Sequence, residues 1–152
     1  MRFLSLMVFS VVLLSLSACE SKQSRLDEDL IQEYVAANGL LAESTPEGVY
    51  YFIELEGTGA FPSLTGALTV HYEGTLLDGT VFDSSYDRGV PATFPLSNTI
   101  AGWQIGLPFF RAGSSGKLII PSGLAYGSNP PAGSVIPEDA VLVFRLEVLE
   151  VF

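Results

Sequence analysis

"ALTVHYEGTLLDGTVFDSSYDRG", residues 67–89, decides how this chain is read. Apolar residues alternate through Leu68, Val70 and Tyr72, the period of a strand with one buried face. "LDGT" (77–80) carries the Asp-Gly pair that turns a hairpin, and "TVF" starts the return strand. The return then places Asp83 directly after Phe82, and Ser84, Ser85, Tyr86 and Arg88 follow. Only 16% of the 152 residues are charged, so an Asp and an Arg beside a Phe patterned for burial need a reason.

The same alternation runs outward from this hairpin. "VYYFIEL", "GKLIIPS" and "AVLVFRLEVLEVF" read as further strands. In the last, Leu142, Phe144, Leu146 and Val148 alternate with Val143, Arg145 and Glu147. "NTIAGWQIGLPFF" (98–110) is the one place within this β region for a helix, and Gly102, Gly106 and Pro108 keep it short. The pattern predicts an α+β domain over 46–152: an antiparallel sheet with one short helix laid across it. Upstream, "SRLDEDLIQEYVAANG" predicts an N-terminal helix. Ser24 is its cap, Asp27, Glu28 and Asp29 suit its positive end, and Asn38-Gly39 stops it. Leu26, Leu30, Ile31, Tyr34 and Val35 form its apolar stripe. That stripe packs on the domain or spaces it from a membrane; a homodimer through residues 24–38 is the other use for it.

The N-terminus has the layout of an export signal: a cationic end at Arg2, an apolar run, then small residues up to Cys19. It is too short and wrongly flanked for a typical spanning helix. "LSAC" (16–19) resembles the lipobox of bacterial lipoproteins. That resemblance implies a signal peptide over 1–18, a thioether-linked diacylglycerol and an acylated amine on Cys19, and a lipid-anchored tether and helix over 19–45, with "ESKQSR" (20–25) as the polar tether. Several acyl chains hold a protein on a bilayer where one would be marginal. Glu20 in place of Asp after the cysteine favours the outer membrane, facing the periplasm, in a Gram-negative cell. Cys19 is the single cysteine, so no internal disulfide forms and the fold depends on its core.

Net charge and composition exclude several function classes. A formal charge of −10 argues against nucleic acid as a partner. One histidine, His71, lies mid-strand and points away from the Val70 and Tyr72 face, which leaves no nucleophilic triad and too few ligands for a metal. No glycine-rich loop stands in the strand-to-helix setting of a nucleotide fold. The carboxylate pairs Glu54/Glu56 and Glu138/Asp139 read as solvated. What remains is a density of aromatics near turns: Tyr72, Phe82, Tyr86, Phe94, Trp103, Tyr126 and Phe144. Together with Asp83 they suit an apolar cleft with a few polar anchors.

Four ordered motifs carry a family resemblance: "VHYEGTLLDGTVFDSSYDRGVPATFPL", "IAGWQIGL", "GKLIIPSGLAYG" and "VIPEDAVLVFRLEVLEV". In order and spacing they are similar to the FKBP-type peptidyl-prolyl cis-trans isomerases. The resemblance implies a five- or six-stranded antiparallel half-barrel wrapped around one short helix, preceded here by the N-terminal helix. It also implies isomerisation of proline-containing polypeptides in the cell envelope, with no cofactor.

By that resemblance Trp103 floors the pocket, and Tyr72, Phe82, Ile100, Val135, Ile136 and Phe144 wall it. Tyr126 offers its hydroxyl to a substrate carbonyl, and the Ile100 amide binds another. Asp83 faces the twisting amide, held by Arg88 and Tyr86. Thr99 joins the binding set where an aliphatic residue is usual, and Ala92 stands where an aromatic is common. The flap "SNPPAGSVIP" (128–137) is one residue longer than in the smallest members and lacks their histidine, which bears on macrolide affinity. Ala92 and Thr99 also suit the alternative, a non-catalytic FKBP-like peptide-binding or chaperone module.

Overall fold

Two residues of the hairpin turn set the register of the sheet. Gly79 takes φ +88° and donates its amide to the Leu76 carbonyl at 3.0 Å, while Asp78 accepts from the Thr80 amide at 2.9 Å. The turn is thus a tight bend closed by one left-handed glycine, a conformation that costs glycine little. The computed structural model describes residues 22–152, so the expected signal peptide and Cys19 lie outside the described residues.

In chain order the elements are α1 (Lys22–Ala37), β1 (Glu43–Ser44), β2 (Tyr50–Leu55), β3 (Ala67–Leu76), β4 (Val81–Ser84), β5 (Ala92–Pro95), α2 (Ala101–Gly106), β6 (Ser115–Ile120) and β7 (Leu142–Val151). The strands form one antiparallel sheet in the order β1-β2-β6-β7-β3-β4, with β5 also paired to β3. The outer edge of β3 is shared: its first half pairs with β5 and its second half with β4. This is the expected α+β sheet with one short central helix. It reaches seven strands because the two-residue β1 and the short β5 add to the five runs legible by alternation.

The sheet has two dry faces. On one, Leu68, Val70, Leu118, Ile120, Leu142, Phe144, Leu146 and Val148 meet Trp103 and Leu107 from the central helical segment. On the other, Ile119, Val141 and Val143 pack against Ile31 of α1, with Tyr34, Val35, Leu40 and Tyr50 around them. The second core explains why Val143 is buried although it alternates with the first-face residues. Only the start of β7 is covered on both sides, since Arg145, the next residue on the Val143 face, is exposed.

α1 differs from its expected form in three ways. It is already helical at Lys22, so residues 22–25 are not tether and Ser24 lies inside the helix, not at its cap. Within the stripe Ile31 is fully buried, but Leu26 and Leu30 are about half exposed. Asp27 does not sit in solvent at a helix end. It is buried against the residue 122 turn, while the Tyr50 hydroxyl donates to Glu28. The stop is as expected: Gly39 at φ +60° donates to the Ala36 carbonyl, and Leu40 donates to that of Val35. This pair of bonds closes the helix and turns Leu40 into the second core.

Because Ile31 is the one fully buried apolar side chain of α1, Ile31→Ala is expected to cost about 2–5 kcal/mol. Urea unfolding checks this, and an unchanged midpoint would show that α1 is not integral to the fold.

Candidate active site

The strand pattern brings the aromatics of distant segments onto one mouth of the half-barrel. A cleft of about 620 Å³ opens there, lined by Tyr72 from β3, Phe82 and Asp83 from β4, Phe94 from β5 and Phe144 from β7. Trp103 comes from α2, with Thr99 and Ile100 at its entrance. Tyr126, Pro131, Ser134 and Ile136 supply the opposite wall.

The floor is built edge to face. Trp103 lies 5.2 Å from Tyr72 at 88° and 5.1 Å from Phe144 at 81°, and Phe94 tilts over it at 5.4 Å. Phe82 stands on Phe144 at 5.5 Å and 87°. Such perpendicular contacts add to simple burial and hold each ring in one orientation. Gly74 makes room for them, since a Cβ there would come within 2.5 Å of Phe82 Cζ. Phe82 therefore lies half-buried as a wall of the cleft.

Asp83 is fixed by two groups. The Tyr72 hydroxyl donates to its Oδ2 at 2.5 Å, and Arg88 Nη1 pairs with its Oδ1. Arg88 Nη2 also donates to the Tyr72 oxygen at 3.0 Å, closing a three-membered ring of contacts. Burial pushes the Asp83 carboxyl up, but the bonds from Tyr72 and Arg88 and the Arg88 charge outweigh it, so the group lies below the usual carboxylate range. Burial, with the Asp83 bond behind it, pushes the Tyr72 phenol up. Burial and then the Asp83 charge do the same for Tyr126. At neutral pH the cleft thus holds one anion and two protonated phenols.

The two serines after Asp83 are structural. Ser85 is fully buried; its Oγ accepts the Tyr72 amide at 2.8 Å and lies 2.9 Å from His71 Nδ1. Ser84 Oγ accepts the Asp87 amide at 3.2 Å. Ser85 ties the end of β4 to the strand that carries Tyr72, and Ser84 closes the turn that follows.

Two sequence expectations are corrected here. Tyr86 does not hold Asp83: its ring stacks on His71 at 4.7 Å, with Arg145 above it, and Tyr72 supplies the phenol instead. Val135 is not a wall. Its side chain is exposed, while the next residue, Ile136, turns into the core. The other expected residues, Asp83, Tyr126, Phe82, Trp103, Tyr72, Thr99, Ile100, Ile136 and Phe144, all meet in the one cleft. Arg88 stands at its rim on Asp83.

Ile100 is the residue before the first turn of α2, and among the described residues its amide has no acceptor. The Thr99 hydroxyl is occupied by the Leu96 carbonyl at 2.7 Å. Phe94, one of the aromatics that suited a cleft, lines it too, and Asn98, Pro131 and Ser134 line it without having been assigned to it. Asn98 ends a single 3₁₀ turn and the other two lie in the flap, so no period reveals them.

Comparison with known proteins agrees with this geometry. The family model described as FKBP-type peptidyl-prolyl cis-trans isomerase matches residues 60–149. The chain is 47% identical over 140 residues to the FKBP-type peptidyl-prolyl cis-trans isomerase FkpA of Aeromonas hydrophila, covering 87% of this chain and 52% of that one. It is 42% identical over 106 residues to the outer membrane protein MIP of Legionella longbeachae, covering 70% and 45%. The crystal structure of FkpA from Escherichia coli superposes with a TM-score of 0.75 at 33% identity, covering 88% of this chain and 61% of that one. The chain spans about half the length of the relatives it matches. With a family model matched over most of its sheet and cleft, the chain belongs to the FKBP-type peptidyl-prolyl cis-trans isomerases.

Proposed function

We propose that this protein catalyses cis–trans isomerisation of the bond preceding proline in polypeptide chains. The observation that carries the reading is the juxtaposition of an aromatic floor, Trp103 with Tyr72 and Phe144, and a single ionised, immobilised carboxylate, Asp83. The barrier to this rotation is about 18–20 kcal/mol and comes from amide resonance. Neither proton transfer nor a covalent intermediate is required. The planar amide is more dipolar than the twisted one, so a dry, apolar cleft disfavours the ground state relative to the transition state.

In this reading the proline ring sits on Trp103 between Phe82, Phe144 and Ile136. The Tyr126 hydroxyl and the Ile100 amide donate to the carbonyls on either side. Both are free to do so among the described residues. Asp83 faces the rotating amide, and Arg88 with Tyr72 keeps it from turning toward solvent. The isomerase domain is taken as 46–152, and the preceding segment supplies α1, packed on its sheet, and β1, which pairs with β2.

The protein is further proposed to act in the cell envelope, anchored by acyl chains on Cys19 after removal of residues 1–18. The "LSAC" motif supports the anchor, and the name of the outer membrane protein MIP supports the location. No helix among the described residues is long and apolar enough to cross a membrane.

Asp83→Asn keeps side-chain volume and part of the hydrogen bonding but removes the charge. It is expected to lower kcat/KM on a proline peptide about tenfold, or ~1.4 kcal/mol of transition-state stabilisation, with the fold retained. The same variant tests the electrostatics. The folded carboxyl titrates below its unfolded value of about 3.9, so its contribution to stability is complete above that value and is lost as the pH falls through the lowered one. Urea midpoints of wild type and Asp83→Asn should therefore converge in acid. Wild-type turnover in the variant would remove Asp83 from the mechanism. Peptide binding without any turnover by the wild type would favour the non-catalytic binding module.

Cys19→Ser is expected to move the protein from the membrane to the soluble fraction. Membrane retention of this variant after a salt wash would contradict lipid anchoring.

A further inference from the structure

A buried carboxylate of α1 is tied to the loop that carries Tyr126. Asp27 of α1 is 1% exposed, and so is Ser122. Asp27 Oδ2 accepts both the Ser122 amide, at 2.8 Å, and the Ser122 hydroxyl, at 2.6 Å, across 95 residues of sequence. Gln23 Nε2 donates to Oδ1 at 2.8 Å. A buried carboxylate needs such donors to remain in place. Here two of the three come from one residue of the loop.

Ser122 in turn organises the backbone around Tyr126. Its carbonyl accepts the Ala125 amide at 3.0 Å and the Gly127 amide at 2.9 Å, so the bonds bracket Tyr126 on both sides. Gly127 sits at φ +53°, and its carbonyl accepts the Asp139 amide at 2.8 Å, closing the base of the flap that brings Pro131, Ser134 and Ile136 to the cleft. One residue, Ser122, thus braces the backbone on both sides of Tyr126, next to the base of the flap. Among the described residues its N–H and hydroxyl are held by Asp27 of α1.

We infer that Asp27 is a positioning residue for the cleft: through Ser122 it sets where the Tyr126 hydroxyl meets a substrate carbonyl, so α1 acts on substrate binding without touching substrate. The inference builds on the isomerase reading of the cleft. Hydrogen-bond donors must be placed within about 0.5 Å to be effective, and a misplacement of about 1 Å is costly even when its origin is remote.

The test is a double-mutant cycle in the full-length protein in detergent, well below its unfolding temperature, with an alanyl-prolyl peptide as substrate. Asp27→Ala is expected to lower kcat/KM about five- to tenfold, mainly through KM, and to speed amide exchange across residues 122–127. In a Tyr126→Phe background, where the hydroxyl is already gone, the same change should cost less than about twofold. Asp27→Asn keeps an acceptor oxygen for Ser122 and should stay within about twofold of wild type.

A helix that only stabilises the fold would lower Tm equally in both backgrounds and leave kcat/KM of the folded protein alone. Unchanged kcat/KM in Asp27→Ala, losses that simply multiply with those of Tyr126→Phe, or unaltered exchange at 122–127 would each overturn the inference. If Asp27→Ala does not fold, Ser122→Ala, which removes one of the two bonds, enters the same cycle with the same criteria. If the wild type proves to lack isomerase activity, the cleft reading falls separately. The cycle is then run on proline-peptide affinity: a loss confined to proteins with the Tyr126 hydroxyl supports the positioning role of Asp27, and an equal loss in both backgrounds overturns it.

Discussion

The closest contact between helix and sheet governs the rest of this structure. A Cβ on Gly102 would lie 2.3 Å from Ile120 Cγ2, and one on Gly106 would lie 2.5 Å from Leu118 Cδ2. Only glycine at both positions lets α2 lie this near to β6. With α2 pressed down, Trp103 reaches Tyr72, Phe94 and Phe144 at once and becomes the floor of the cleft. A helix one side chain further out would lift the indole from that contact and leave the half-barrel unfilled. The two glycines that shorten the helix thus also place its most important residue.

The cleft then combines two demands that ordinarily conflict. It must be dry, which the aromatic walls provide, and it must hold a charge, which dry surroundings oppose. The conflict is resolved at the rim. Asp83 and Arg88 are both about half exposed, so water shares the cost of their charges and their pairing adds little to stability. What the pairing supplies is direction: Tyr72 and Arg88 take one carboxylate oxygen each. The carboxylate is ionised and held in one orientation, and under the proposed reaction it would need no reorganisation as an amide twists beside it.

Much of this was legible in the sequence, and the limits have physical causes. Five of the strands, the Asp-Gly hairpin and the short helix followed from periods and turn residues, which are local. The ends of α1, the choice between Val135 and Ile136, and the partner of Asp83 were not local. Tyr86 is three residues from Asp83 and Tyr72 is eleven away, yet strand pairing brings Tyr72 to it and sends Tyr86 to His71. Asp27 looked like an acid suited to a helix start, because nothing near it in sequence announces Ser122. Nor could β5 be read from "ATFP", four residues with two of low strand propensity that pair only because β3 offers a free edge. Family resemblance named most of the residues that meet in the cleft, but it misplaced Tyr86 and Val135, whose positions are set by tertiary contacts.

Trp103 is the single tryptophan, and it lies at the floor of the cleft, so its emission reports on that site alone. Titrating a proline-containing oligopeptide while following this emission tests whether catalysis occurs over the indole. The account predicts a saturable change whose midpoint coincides with the KM for isomerisation of the same peptide. Isomerisation that saturates while the emission stays constant would contradict it, and would place the reacting bond elsewhere on the protein.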